Sequence, residues 1–460
     1  MSLPPLASGP QGPNALRPLL TTVLHALEEG SRARGGPLPR GGPEAVVARL
    51  RAALGDVLPE QGDPDAAAHL IRTLAEGAAD PAHPHCAAHL HCPPLAVATA
   101  ADLAAAVLNP SLDSWDQAPS ATALEALVTQ ALARTLYGTP DDPTRQGADC
   151  LVTTGGTESN QLALLLAREA HGPVRLVCGQ AAHHSLTRAA WLLGLPDPLV
   201  IPTPRGTLDP AALATALRRH PGPHLVAATA GTTDAGLIDP LPALADVCAA
   251  HGARLHIDAA YGGALLFSRQ HAPKLTGLDR AHTVTLDLHK LGWQPVAAGL
   301  LALRDPGDLH ALRHRADYLN ADDDTEAGLP DLLGRSLRTT RRPDILKISI
   351  TLKTLGRAGL ATLIDQVCSL AQRFADLVEA SPTFELHARP TITTVLFRPL
   401  HATDEAIATV RRTLLHNGHA VLGRAHHHGR LWLKATLLNP HTRPEDLSAL
   451  LTLVEGTTPR

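Results

Sequence analysis

Between residues 93 and 345 the chain alternates short, continuously apolar segments with helical ones. "ADCLVTTGG" reads as a strand running into a turn, and "NQLALLLAREA" as the helix after it. "VRLVCG", "HLVAATAGTT", "RLHIDAA" and "TVTLDLHK" are further strands. A sheet with one wet face alternates apolar and polar residues, whereas strands buried on both faces run apolar throughout. The pattern therefore predicts an α/β fold, with a mostly parallel sheet in a large domain and helices on both faces. Chemistry in such sheets gathers at the carboxyl ends of the strands. Here those ends carry Gly155 and Gly156, Asp258 and Lys290.

The flanks read differently. Residues 1–92 hold helical patches, "LRPLLTTVLHALEEG" and "AVVARLRAALGDV", separated by Pro/Gly-rich connectors. They predict a helical N-terminal arm that buries its apolar faces against something else. From 346 a long helical stretch leads into a small α+β domain, 346–460, with strands "TITTVLFRPL" and "RLWLKATLL". Thr442, three residues before Glu445, predicts a capping box for the last helix. The large domain is then 93–345. With aromatics at 2%, Leu, Ala and Val must fill the interior.

A net charge of −4 without basic clusters gives no footing for nucleic acid. No run of about 18 apolar residues suggests a membrane span, and the N-terminal residues lack the pattern of a secretory signal. The expectation is a soluble cytoplasmic protein. Cysteines 86, 92, 150, 178, 248 and 368 are too scattered for a disulfide framework. Cys178, Cys248 and Cys368 each follow Val and suit small buried hydrophobes.

Three strand ends carry candidate chemistry. Gly155 and Gly156 leave backbone N–H groups at a helix start, with Thr157 and Ser159 as added hydroxyls, which suits a phosphate or an ordinary capped turn. Asp258 ends an apolar strand, where a buried carboxylate needs a cation or donors; it either pairs with a nearby loop or keeps a ring nitrogen protonated. Lys290 is either a snorkelling surface lysine or a desolvated amine able to condense with a carbonyl. Together, a phosphate cradle, a carboxylate and an amine match what pyridoxal phosphate demands.

The motifs "LDSWDQAPSATALE", "GGTESN", "AHHS", "HIDAAYGG", "LDLHK", "LRTTRRPD" and "LKATLLNPHT" resemble the group II pyridoxal-phosphate-dependent amino acid decarboxylases, of fold type I. The resemblance runs from about residue 80 to the end. It implies that Lys290 carries the cofactor and that Asp258 holds the ring nitrogen protonated. His183 would stack on one ring face and Ala260 pack the other. Gly156, Thr157 and His289 would lie against the phosphate, and Thr232 near the cofactor's edge. Tyr318, in "HRADYLNADDDTEAG", stands where the family has a tyrosine that returns a proton to carbon; it also fits a packing residue. A homodimer is implied as well.

The family's aromatic branch places aromatic side chains where this chain has "HPHCAAHLHCPPL", with His89, Leu90 and His91. That disfavours an indole or catechol substrate. The flanking motifs resemble the aliphatic diamino-acid branch, with L-2,4-diaminobutyrate as the expected substrate and 1,3-diaminopropane as the product. Lysine or ornithine decarboxylation, as in siderophore pathways, is the alternative. A fold type I aminotransferase or lyase is another, with Arg341 or Arg342 as carboxylate clamp. His83, His85, Cys86, His89, His91 and Cys92 match no common zinc spacing, and no residue is assigned to a metal. The triplet His426 to His428 reads as a surface loop.

Overall fold

The computed structural model describes residues 3–138, 147–314 and 316–459. They form two compact units, one of Pro94–Ser369 with Pro390–Thr394, the other of Met1–Pro93, Leu370–Arg389 and Val395–Arg460.

The first unit is built on seven strands: β1 (Asp149–Thr153), β2 (Arg175–Gly179), β3 (Leu199–Ile201), β4 (His224–Thr229), β5 (Arg254–Ala259), β6 (Thr283–Asp287) and β7 (Gly299–Leu303). Their order is β1-β7-β6-β5-β4-β2-β3. From β3 across to β6 every pair is parallel, and β7 runs antiparallel to both its neighbours. The sheet is mostly parallel, as expected. β7 breaks the pattern because only residues 288–298 join it to β6, too few for a crossover helix back to a parallel strand. The helix Gly156–His171 places Leu162, Ala163 and Leu166 against Leu151, Leu301 and Leu303. Full burial of each leucine contributes about 1.5–3 kcal/mol. That packing holds the start of the helix at the end of β1. Pairing of Thr229 with Asp258, and of Asp258 with Thr285, sets three polar residues in one row across the sheet.

The second unit has strands β8 (Phe384–Leu386), β9 (Thr394–Pro399), β10 (Gly423–His427) and β11 (Arg430–Thr436), in the order β10-β11-β9-β8. Phe374, Phe397, Ile407, Leu433, Leu447 and Leu450 centre its core. The N-terminal helices Gly12–Arg34, Gly42–Leu54 and Ala66–Glu76 belong to this unit. Their connection is made at Ala87, whose N–H donates to Val421 O and whose O accepts from Thr436 N–H. The long helix Ile345–Ala380 is broken at Gly356, where φ is +62°, a conformation that glycine adopts without a side-chain penalty.

The last helix corrects an expectation. It starts at Pro444, so Arg443 is the cap and Asp446 accepts its N–H at 2.9 Å, in place of Thr442 and Glu445. Proline has no N–H to satisfy and its fixed φ suits the first helical position, which moves the cap to the residue before it. Among the described residues no helix is long and apolar enough to cross a membrane. None of the six cysteines forms a disulfide, and five of them are buried.

Candidate active site

The turn after β1 is shaped by glycine. Gly155 has φ +151°, and a side chain there would begin 2.9 Å from His289 Cε1. One on Gly156 would begin 3.0 Å from Ala260 Cβ and 3.3 Å from Asp287 Oδ2. Backbone alone fits between these groups. The N–H groups of the first helical turn have no partner within their own helix, and the dipole there favours an anion. Thr157 is exposed at this end, whereas Ser159 is buried, bonded to Thr153 Oγ1 at 2.8 Å and to Leu300 O at 3.2 Å. Ser159 therefore ties the helix to the sheet and does not offer its hydroxyl to the cradle. Glu158 steadies the turn by accepting from the N–H and hydroxyl of Thr154, at 2.6 and 2.7 Å.

Asp258 is 6% exposed. Its Oδ1 accepts Ala260 N–H at 3.1 Å, and its Oδ2 accepts Asn160 Nδ2 at 2.8 Å. Asn160 is fully buried and uses its whole amide. Nδ2 also donates to Ser185 Oγ at 2.9 Å, while Oδ1 accepts from His256 Nε2 at 2.9 Å and Thr285 Oγ1 at 3.0 Å. A carboxylate only accepts, so Asp258 fixes which end of the amide faces it. That choice requires Nε2–H on His256 and leaves Nδ1 to accept from Thr283 Oγ1, 2.9 Å away. Burial pushes His256 down to about 4, against the pull of Asp258, so the ring is neutral at neutral pH. Ser185 continues the network to His183 Nδ1 at 2.8 Å. His183, half-buried, is also held below the ordinary histidine value by burial, with Asp258 opposing. The network links four segments distant in sequence and leaves Asp258 with acceptor capacity to spare.

Lys290 lies in the short helix Leu288–Leu291 that follows β6. Its Nζ is 3.0 Å from Asp287 Oδ2, and His289 Nε2 is 3.5 Å from the same oxygen. His289 Nδ1 accepts Ala298 N–H at 3.2 Å, which puts its ring proton on Nε2, towards Asp287. Burial lowers His289, with Asp287 acting against it. Asp287 itself is buried, and its Oδ1 makes no hydrogen bond among the described residues. A buried oxygen without a donor typically costs about 1–3 kcal/mol, so it marks a place where a ligand or ion completes the bonding.

The structure thus brings Gly156, Asp258, Ala260, His289, Lys290 and His183 into one connected region. Asn160 and Asp287 join them; both stand inside quoted motifs, but their strand-end or helix position alone gave no role. Thr232 is buried and its hydroxyl accepts Leu237 N–H at 3.0 Å, closing the turn after β4. Tyr318 is 83% exposed, in the short helix Asp317–Asn320. Neither arginine raised as a clamp is available. Arg341 is buried in a two-pronged pair with Glu125 at 2.7 and 2.8 Å, and Arg342 pairs with Asp102 at 2.8 Å. Residues 83–92 bring no three ligand atoms together; His85 Nε2 is 3.1 Å from Asp446 O, and burial raises the Cys86 thiol to about 11.

A glycine cradle at a helix start, a carboxylate with unused acceptors and a primary amine fit a phosphorylated pyridine aldehyde: phosphate, ring nitrogen and carbonyl each find a complementary group. Residues 50–399 match the pyridoxal-dependent decarboxylase conserved domain. The chain is similar to the L-2,4-diaminobutyrate decarboxylase of Rhizobium meliloti (strain 1021), 41% identical over 385 residues, covering 80% of this chain and 76% of that protein. It is also similar to the L-2,4-diaminobutyrate decarboxylase of Acinetobacter baumannii, 32% identical over 409 residues, covering 79% and 78%. Among solved structures, it resembles the glutamate decarboxylase domain of diaminobutyrate-pyruvate transaminase and L-2,4-diaminobutyrate decarboxylase from Vibrio parahaemolyticus. That likeness has a TM-score of 0.85 at 31% identity, with 98% of this chain and 97% of the other covered.

Proposed function

The chain belongs to the pyridoxal-dependent decarboxylases, and from that premise we propose that it releases CO₂ from L-2,4-diaminobutyrate, leaving 1,3-diaminopropane. It is a carboxy-lyase whose cofactor is pyridoxal phosphate. The observation that carries the site assignment is the lysine amine held 3.0 Å from the buried Asp287, beside the glycine cradle. The substrate rests on the likeness to the two diaminobutyrate decarboxylases and on the lack of aromatic side chains at 83–95.

When bound, pyridoxal phosphate supplies a conjugated ring that accepts the electron pair left as the carboxylate departs. Lys290 Nζ would hold the cofactor at its aldehyde group and would move protons near the substrate's α-carbon. Backbone N–H groups of Gly156 and Thr157 would hold the phosphate, with the His289 ring lying against it. Asp258 would keep a proton on the ring nitrogen, and Asn160 would keep Asp258 aimed. His183 and Ala260 would flank the ring, with Thr232 at its edge. Tyr318 would return a proton to the α-carbon, brought over the substrate from its exposed position.

The test is kcat/KM across diaminobutyrate, ornithine, lysine, tyrosine, DOPA and glutamate, with each amine product identified by mass. Diaminobutyrate should lead, ornithine and lysine follow, and the others trail far behind. A surplus methylene costs only about 1–3 kcal/mol, while polar partners left unpaired cost far more, so discrimination is steeper between classes than between chain lengths. A lead for tyrosine, DOPA or glutamate overturns the substrate assignment.

The active form we propose is a cytoplasmic homodimer. Leu19, Leu24, Leu27, Val47 and Leu54 on the first two helices stand 44 to 66% exposed, apolar area that a second copy would cover. Six cysteines without a disulfide suit a reducing compartment. Sedimentation of the holoenzyme at micromolar concentration should give a dimer; an active, stable monomer contradicts this.

A further inference from the structure

The smaller unit gathers three histidines that the decarboxylase site does not use. β10 ends at His427, which pairs with Arg430 at the start of β11, so His428 and Gly429 form a two-residue turn. Their φ values, +51° and +72°, are both left-handed, as a type I′ hairpin turn requires. Asparagine or aspartate usually takes the first of these positions. Histidine there sets its ring 4.7 Å from that of His427. His387 follows β8 and is fixed by its N–H to Leu396 O at 2.9 Å. Its ring lies 4.3 Å from His427 and 5.3 Å from His428, centroid to centroid.

We propose that His387, His427 and His428 form a binding site for one divalent transition-metal ion of the zinc class. One ligand nitrogen from each histidine lies within 4.8 Å of the other two. Tetrahedral zinc with Zn–N near 2.0–2.1 Å needs nitrogens about 3.3 Å apart, so the rings would turn towards one another on binding. Three imidazoles with an open fourth position are an established zinc set, and imidazole equally suits nickel, cobalt and copper. The surroundings are ordered for it. Trp432 lies 5.0 Å from the His387 ring, and its Nε1 donates to His427 O at 3.2 Å, pinning the strand end. The nearby cations are already neutralised: Arg430 forms a two-pronged pair with Glu385, and Arg398 pairs with Glu385 at 3.4 Å and Asp404 at 3.1 Å. His428 is exposed at the turn and gives the ion its entry. Sequence read the triplet as a surface loop because its third partner, His387, lies some forty residues earlier.

The test compares the holoenzyme with its His428→Asn variant, both stripped by chelator and then dialysed against Zn²⁺, with bound metal measured by elemental analysis. Asparagine is the favoured residue at that turn position, so the hairpin keeps its fold while losing one ligand. A His387→Gln variant and the cofactor's absorbance serve as checks on folding. Wild type should bind one more Zn²⁺ per chain than either variant at micromolar metal. The variants should be weaker by more than the roughly 10–100-fold that loss of an outer-shell partner brings. Added zinc should raise the unfolding midpoint of wild type alone. Equal zinc binding by wild type and His428→Asn, or none by wild type, overturns the proposal.

Discussion

Lys290→Ala is expected to abolish decarboxylation and to leave the cofactor removable by dialysis. In the wild type, borohydride followed by proteolysis should place the pyridoxyl group on the peptide containing Lys290. The geometry gives the reason. Lys290 Nζ sits 3.0 Å from the buried Asp287, next to the turn where glycine leaves room for a phosphate. Lys347, a buried lysine of this unit, is no substitute, since Asp102 and Asp344 hold it at 3.3 and 3.1 Å. The loss should exceed the roughly 10²–10⁴-fold that removal of a general acid or base alone brings, because attachment and proton transfer fail together. The phosphate cradle survives, so some cofactor should still bind, but borohydride should leave no pyridoxyl group attached to the protein. Label on another lysine in the wild type would falsify the assignment of Lys290.

Asp258 and Lys290 were legible in the sequence because they contradict their neighbours. A charge at the end of an apolar strand demands an explanation, and the alternation of strands with helices says that this end is where ligands sit. Asn160 gave no such signal. An amide one turn into a helix is unremarkable until β5 and β6 bring Asp258, His256 and Thr285 against it, from positions 96 to 125 residues away. Asp287 was visible as an odd residue but not as the partner of Lys290, since that depends on the helical turn that begins at Leu288. The same limit holds for strands. β3 has only three residues, and β7, "GLLAL", is apolar like its neighbours, yet its direction depends on the short connection from β6. Arg341 and Arg342 show the reverse case, conspicuous in sequence but spent on Glu125 and Asp102.

The hub at Asn160 permits a sharper test of Asp258 than activity alone. Asp258→Asn keeps the shape of the side chain, and its amide oxygen can still accept from Asn160 Nδ2, while its NH₂ takes the place of Oδ1 and loses the bond from Ala260 N–H. Its NH₂ group then faces the ring nitrogen as a donor, so that nitrogen can no longer carry a proton. Cofactor content should change little, while kcat falls by about 10²–10³-fold, the usual consequence of losing one preorganised electrostatic partner of the transition state. Asn160→Ala should behave in the opposite way. Asp258 keeps its charge and its bond from Ala260 N–H, so ring protonation persists and kcat falls less. But His256 Nε2–H, Ser185 Oγ and Thr285 Oγ1 each lose a buried partner, at about 1–3 kcal/mol apiece where no water replaces it. The unfolding midpoint should therefore drop further in Asn160→Ala, which loses several buried bonds, than in Asp258→Asn, which loses the one from Ala260 N–H. The two readouts separate the roles: loss of a carboxylate that acts on the ring lowers turnover more than stability, and loss of an amide that aims it does the reverse. Near wild-type turnover in Asp258→Asn would remove Asp258 as the ring's partner. A kcat loss in Asn160→Ala equal to that of Asp258→Asn, with stability unchanged, would instead move the amide from a positioning role into direct contact with the cofactor.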